Sequence, residues 1–571
     1  RVGNSLQEKI DDFDIFNESN MSPQGALFTD ASEYEKLKDR MLTIKNKFYL
    51  SRYESEKRKL KREFDELEHH LIQAVLTKNR NELDSQLRNQ QIGKVAEEIQ
   101  RTIEKINRLE QRIKDGTYKL FKPDFHFSEV FDRKYENGKK IGGFDIVIGN
   151  PPYGVAVEEE VKIWHGLGSK DSYGVFISTA LKRFLKTGGV LSYIVSDTWL
   201  TIKTHRQLRK QVLANRLHKV IRLHQDCFEA TVNACIISIT NKIKGSGQVI
   251  AADLTNISTR KDVDEVREKL YHLEKFIGQS TLRYAVYQYP QELIKTNSNQ
   301  PIFVGSPKLF LLMNDQTCPT ISREIDGKQV SVRIISINGK TIELVRFGDI
   351  AEVKVGLQTG DNRAYLFQNP KARGSYRNIN LYKQFLLTEN DLERITSNKK
   401  VRLKVIEQGI HKSRDEKKFD NDLWFGGRYI VPYDKGGESD TESGWLPNYH
   451  VPTNYYIDWS QSSVTRMRTL TIKQRDGKGD DRVCSRFQNK DYYFLKGISF
   501  SWAGIYCPTY RLNLMGPFDH GSSNIFCNNQ NMEFLLAILT SKVNRYISRV
   551  LINHSINFGI DDTKEIPVLV E

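Results

Sequence analysis

The feature that most constrains this chain is an apolar run that ends abruptly at two prolines. Phe144-Asp145-Ile146-Val147-Ile148-Gly149 reads as a buried strand, and Asn150-Pro151-Pro152-Tyr153 follows directly. Proline fixes φ and offers no N–H to a ladder, so the chain must leave the sheet there. The flanking segments alternate in period. Asp171–Lys186 reads as a helix closed by Gly188-Gly189, Val190–Val195 as a strand and Lys203–Ala214 as a helix. Lys219–Leu223 and Cys235–Thr240 read as strands. This alternation predicts an α/β fold with a mostly parallel, doubly wound sheet. Ligands in such sheets sit beyond the carboxyl ends of strands, where Asn150 falls.

From Gln24 to Lys122 there is no proline. Leu60, Phe64, Leu67, Leu71 and Val75, then Val95, Ile99, Ile103, Ile106, Leu109 and Ile113, recur at helical spacing. They predict a helical hairpin turning near Thr77–Leu83, whose Lys57, Arg58, Lys59, Lys61 and Arg62 face solvent or meet phosphate. Tyr287–Ser306 reads as a connector. Beyond it, short strands separated by Gly, Asn and Asp, then a helix at Asn531–Val550, predict a separate α+β domain. The expected organisation is a core starting over 1–33, a helical insertion over 34–122 and the catalytic core over 123–286. A connector over 287–310 and a specificity domain over 311–571 complete it.

Lys and Arg number 86 against 71 Asp and Glu, a formal charge of +15, which favours a polyanionic partner. Six cysteines without a C-x-x-C pair suit a reducing cytoplasm. No apolar run reaches the ~18 residues of a membrane span, and no spacing of His, Cys, Asp or Glu suggests a catalytic metal.

The tetrapeptide carries specific chemistry. The Asn150 side-chain oxygen and the Pro151 carbonyl, on a backbone stiffened by Pro151 and Pro152, can accept both hydrogens of a planar NH2 group. The nitrogen lone pair then faces an electrophile. Tyr153 offers a ring on which a base stacks, worth ~1–3 kcal/mol. An exocyclic amine needs no strong general base, because its proton can leave after methyl transfer.

In these residues the sequence resembles the gamma-group adenine-N6 DNA methyltransferases, the large restriction–modification type with a TaqI-like C-terminal specificity domain; the BREX phage-defence methyltransferases are close in style. Phe144 to Tyr153 matches the family's catalytic motif. Asp171-Ser172-Tyr173-Gly174-Val175-Phe176 matches the following motif, which implies that Phe176 lines the adenine pocket of the cofactor, S-adenosyl-L-methionine. Gly188-Gly189 through Trp199-Leu200 matches the next strand and loop. Phe228, before Val232-Asn233-Ala234-Cys235-Ile236, stands where the family sets an aromatic against a flipped base. Gly3-Asn4-Ser5-Leu6 resembles a motif that meets the cofactor, with Asn4 where Asp is commoner; Asn4, Ser5, Asn150 and Phe176 are the implied cofactor residues. Val355 to Asn362, with Gln358 and Asn362, resembles the opening of the target-recognition domain. Ser485 to Phe494, with Arg486 and Lys490, resembles a later segment of it, with Tyr492 and Phe494 read as structural.

The resemblance implies a site-specific DNA adenine-N6 methyltransferase with double-stranded DNA as partner and a partial class I methyltransferase sheet. The family's glycine-rich motif and acidic ribose-binding residue have no match. The expectation is therefore a piece of a longer polypeptide that holds the target-base half of the site, with a nuclease domain, if there is one, elsewhere in the parent. Two other readings stay open. One is a methyltransferase of RNA or protein glutamine; the other is a DNA-binding specificity module inactive by itself.

Overall fold

The structure, a computed structural model, describes residues 31–571 apart from 90–93, 116–126, 132, 134–141, 230–232, 244–246, 326, 373, 417, 437–447, 503–507, 528–531, 554–557 and 571. The chain divides into two compact units. The first takes the described residues up to 195, with 214–217 and 237–245; the second takes 196–213, 218–236 and the residues from 246 onward.

The first unit begins with three helices, α1 (Ala31–Leu50), α2 (Glu54–Asn89) and α3 (Lys94–Lys114). Helix α1 packs on α2, and α2 on α3. Met41 and Ile44, then Leu60, Ile72 and Leu76, then Ile106, Leu109 and Ile113 are buried. Each set keeps the three-to-four-residue spacing of one helix face. The expected turn at Thr77–Leu83 does not occur: α2 runs through it to Asn89. That segment holds neither glycine nor proline. Asn79 and Asn81 cost a helix little, whereas burial of Leu76 and the ion pair of Arg80 Nη1 with Glu110 Oε2, 2.6 Å, hold it in register. Arg58, Lys59, Lys61 and Arg62 are exposed, and Lys57 pairs with Glu54 at 3.7 Å.

The strand read before the prolines is β1 (Phe144–Gly149), parallel to β2 (Leu185–Ser196). It is not the buried strand expected: it ends the sheet order, and Ile146 and Ile148 are exposed. Between β1 and β2 lie α4 (Ser172–Thr179) and a π-helical turn, Ala180–Phe184. Gly188-Gly189 does not close a helix; it lies within β2, where the register with β1 shifts. A Cβ on Gly189 would lie 2.7 Å from the Phe144 carbonyl, and Gly188 has φ +80°. The glycines therefore serve a close backbone approach at an irregular point of the ladder.

Further on come α5 (Arg206–Leu213), β3 (Arg216–Leu223), β4 (Ala234–Thr240), β5 (Gln248–Asp253) and β6 (Ala285–Pro290). The strand order is β1-β2-β4-β3-β5-β6. Strand β3 runs parallel to β5, and β6 antiparallel to β5, so the sheet is mixed and the fold is α/β. The stretch read as a connector is packed: Ile302 and Phe303 are fully buried, Tyr289 donates to the Phe303 carbonyl at 2.6 Å, and Arg209 donates to the Asn299 carbonyl.

The rest of the second unit is built from small sheets. Strands β7 (Thr320–Ile325), β8 (Lys328–Ile337) and β9 (Lys340–Arg346) form an antiparallel meander closed by β20 (Pro567–Val570). A second core gathers Leu357, Tyr365, Trp459, Tyr493, Phe494 and Phe518. Trp459 is fully buried and donates its indole N–H to the Val405 carbonyl at 2.9 Å. The helix read over Asn531–Val550 is broken at Ser541, whose hydroxyl accepts the Asn544 N–H and starts a second helix. Among the described residues no helix is long and apolar enough to cross a membrane.

Truncating a residue of the helical core leaves a cavity, whereas Arg58 on the basic face of α2 is exposed. Ile72→Ala should cost about 2–5 kcal/mol in urea unfolding and Arg58→Ala within about 0.5 kcal/mol. Equal losses would show that the basic face is packed.

Candidate active site

Two prolines remove two backbone donors, so the loop after β1 must be fastened by other residues. The fastening comes from the start of α4. Ser172 donates its hydroxyl to the Pro152 carbonyl at 2.9 Å and its N–H to the Val155 carbonyl at 3.0 Å. The Val157 N–H donates to the Lys170 carbonyl at 2.8 Å, beside a bridge of Ala156 to Asp171. The Asn150–Tyr153 tetrapeptide and the Asp171-to-Phe176 segment are therefore one braced corner. Pro151 is buried, Tyr153 half-buried, and Asn150 and Pro152 exposed. Among the described residues no donor or acceptor engages the Asn150 carboxamide, and no donor reaches the Pro151 carbonyl.

Beneath the corner, Gly149 pairs with Tyr193 of β2. A Cβ at Gly149 would lie 3.2 Å from the tyrosine ring, so glycine lets that ring sit against the strand's last residue. Burial pushes the Tyr193 hydroxyl up to about 12, so it stays neutral. Seven of the eight residues of α4 are buried; Phe176 alone is half-buried. Asn4 and Ser5 lie outside the described residues.

Phe228 belongs to the second unit and is half-buried, just after a 3-10 turn at Gln225–Cys227 that follows β3. Its loop is fastened to the residues after β5. The Asp226 carboxylate accepts the Ser258 hydroxyl at 2.5 Å, the Thr259 N–H at 2.9 Å and the Thr259 hydroxyl at 2.7 Å. Arg260 donates to the Asp226 carbonyl at 2.8 Å and to the Phe228 carbonyl at 2.6 Å. Burial works to raise the Asp226 carboxyl, but the bonds from Ser258 and Thr259 hold it well below the usual carboxylate range. Sequence reasoning missed this arrangement; its only trace was Ser-Thr-Arg after a strand.

The two segments read as target recognition meet. Leu357–Gln358 (β11) pairs antiparallel with Arg486–Phe487 (β16), placing Gln358 opposite Arg486. Ser485 donates to the Thr359 carbonyl at 2.5 Å, and Asn489 to the Val355 carbonyl at 2.9 Å. Arg486 and Asn362 are exposed. The Asn362 carboxamide oxygen accepts the Thr359 hydroxyl at 2.5 Å. Lys490 is paired with Glu407, which Arg468 also meets at 3.3 Å. Phe494 is fully buried and Tyr492 packs on the same core. The basic run Lys399–Lys404 lies on a helix, where Lys404 sits 2.6 Å from both Asp420 and Asp422. Among the described residues no cluster of three His, Cys, Asp or Glu side chains could hold a metal ion.

Residues 37–228 match the family model described as Eco57I restriction-modification methylase. A putative type II restriction enzyme and methyltransferase of Methanocaldococcus jannaschii is 31% identical over 134 residues, 23% of this chain and 11% of that protein. The type II methyltransferase M.TthHB8I of Thermus thermophilus is 33% identical over 81 residues, 12% of this chain and 19% of that protein. The chain thus spans under a fifth of the length of these relatives. Among solved structures, a nuclease-deletion mutant of the Type ISP restriction-modification enzyme LlaGI, in complex with a DNA substrate mimic, aligns with 86% of this chain and 42% of its own at 12% identity, with a TM-score of 0.35.

A carboxyl whose folded value lies below its unfolded one contributes stability above about pH 4 that fades as the pH falls towards the folded value. Asp226→Asn removes that contribution. The gap in Tm between the wild type and Asp226→Asn should stay level above about pH 5 and narrow below about pH 4. A gap that widens on acidification has the wrong sign.

Proposed function

We propose, for a chain whose residues 37–228 carry an Eco57I restriction-modification methylase domain, that it is the target-base and sequence-reading part of a DNA adenine-N6 methyltransferase. The observation that carries this reading is the braced corner: Asn150 and the Pro151 carbonyl lie at the carboxyl end of β1, fixed through Ser172 yet with their own acceptors unused. An amino group brought to that corner finds two acceptors in fixed directions, and holding both its hydrogens aims its lone pair outward. S-adenosyl-L-methionine supplies the electrophilic methyl group when bound, and Phe176 is the aromatic that would pack its adenine. The nitrogen keeps its proton until after transfer, so the corner needs no general base.

An adenine in a duplex is out of reach, and extruding it costs a few kcal/mol. Tyr153 is the ring beside the corner on which it would stack, offsetting that cost, and Phe228 is the second candidate ring for the base. Base reading belongs to the β11–β16 ladder, where the exposed Arg486 opposite Gln358 suits a bidentate contact to guanine. The surplus of 86 basic over 71 acidic residues favours a nucleic-acid substrate over protein glutamine.

Asn150→Ala, made in the natural full-length polypeptide, should abolish adenine methylation measured by mass spectrometry while duplex affinity changes less than about threefold. Equal loss of both would make Asn150 a structural residue. Duplex binding should weaken steeply from low to high salt, because phosphate contacts release counterions. An affinity independent of salt would contradict the electrostatic part of the reading.

A further inference from the structure

We infer that Asp226, Ser258, Thr259 and Arg260 form a two-way clamp that positions Phe228 against the target base. The inference rests on the function proposed above and adds to it the residues that set this ring in place.

The clamp is reciprocal. The guanidinium of Arg260 spans two carbonyls two residues apart, those of Asp226 and of Phe228 itself. A planar fork with several fixed N–H directions defines the path of the backbone between those two residues, which a single-point donor cannot do. In return the Asp226 carboxylate gathers three donors from Ser258 and Thr259. The Ser258 hydroxyl also accepts the Lys261 N–H at 3.0 Å, so its own orientation is fixed.

The clamp stands on a rigid base. Leu254 and Ile257, just before it, are buried, and the Leu254 N–H donates to the Arg222 carbonyl at the end of β3. Arg222 in turn meets Asp197 at 2.9 Å and Asp253 at 3.5 Å. The turn that carries Phe228 is only three residues long, too short to hold a ring by its own hydrogen bonds. A stacking ring must be held before the base arrives, since ordering it on binding subtracts from the stacking gained. Asp226, Ser258, Thr259 and Arg260 are thus positioning residues, acting on the base only through Phe228.

The test uses the natural full-length polypeptide and a duplex with 2-aminopurine at the target position. Arg260→Ala should lower kcat about tenfold, as Phe228→Ala does, while duplex Kd changes less than about twofold. Both variants should alter the 2-aminopurine fluorescence of the bound duplex in the same way. The double variant should be no worse than Phe228→Ala alone, because the two losses are one loss. Arg260→Lys, which can reach one carbonyl but not both, should restore part of the rate, and Ser258→Ala, a milder change, should show the same kcat effect at smaller size.

A tenfold loss of duplex affinity at unchanged kcat would make Arg260 a phosphate contact and overturn the clamp. Additive losses in the double variant would overturn it as well, and so would an unchanged rate for Phe228→Ala. Failure of the broader function is read separately, as normal methylation by Asn150→Ala.

Discussion

Everything at the corner depends on hydrogen bonds that the two prolines cannot make. A strand that ends in Asn150-Pro151-Pro152 gains a stiff backbone and loses two donors, so the loop has nothing with which to hold itself. Ser172 takes over that task through its hydroxyl and its N–H, and the Asp171-to-Phe176 motif becomes the brace of the tetrapeptide. The division of labour is economical. The carbonyl of the second proline is used for bracing, and the first proline's carbonyl, beside the Asn150 amide, receives no donor among the described residues. Gly149 completes the corner from below, where a Cβ would press on the Tyr193 ring at 3.2 Å.

Legibility followed the physics of each element. The strands β1 to β4 could be read because strands are short apolar runs bounded by breakers, although the burial expected of β1 does not hold, and the tetrapeptide could be read because few sequences place two prolines after such a run. The turn expected at Thr77–Leu83 failed for the converse reason: Asn weakens a helix only slightly, and tertiary contacts such as Arg80 with Glu110 decided the matter. Gly188-Gly189 misled because a glycine pair marks a helix end and a close strand approach equally well. The bracing by Ser172 and the bonds around Asp226 were invisible, since a hydroxyl's partner is set by the fold and not by spacing.

Charge in the second unit shows the same lesson. Lys490, a DNA-contact candidate in the sequence, is engaged by a carboxylate, and so are Lys404 and Arg468. Exposed pairs of this kind are worth little to stability, but they withdraw those cations from the pool free to meet a backbone phosphate. Arg486 stands differently. It is exposed, and its strand is tied to Gln358 by the ladder and to Thr359 through Ser485. A fixed backbone under an exposed guanidinium suits the base reading proposed for it, because register comes from the backbone and discrimination from the fork.

The ends of three strands are joined through one buried cation. Arg222, at the end of β3, meets Asp197 just beyond β2 and Asp253 at the end of β5, and Asp197 is almost wholly buried. Burial alone would lower the Arg222 pKa; the two carboxylates raise it instead, so the guanidinium stays charged in the interior. Removing one partner from such a group costs about 3–5 kcal/mol, because the remaining charge is stranded. Four residues after Arg222 comes Asp226, which repeats the pattern in reverse, a carboxylate fixed by donors from the residues after β5. The two links act in series along one path: the first fixes the strand end from which the loop departs, and the second fixes the loop that carries Phe228. Loosening either lets the ring wander, but only the second can be loosened without breaking a buried ion network. It is therefore at Asp226 and Arg260 that the position of the ring separates from the stability of the sheet.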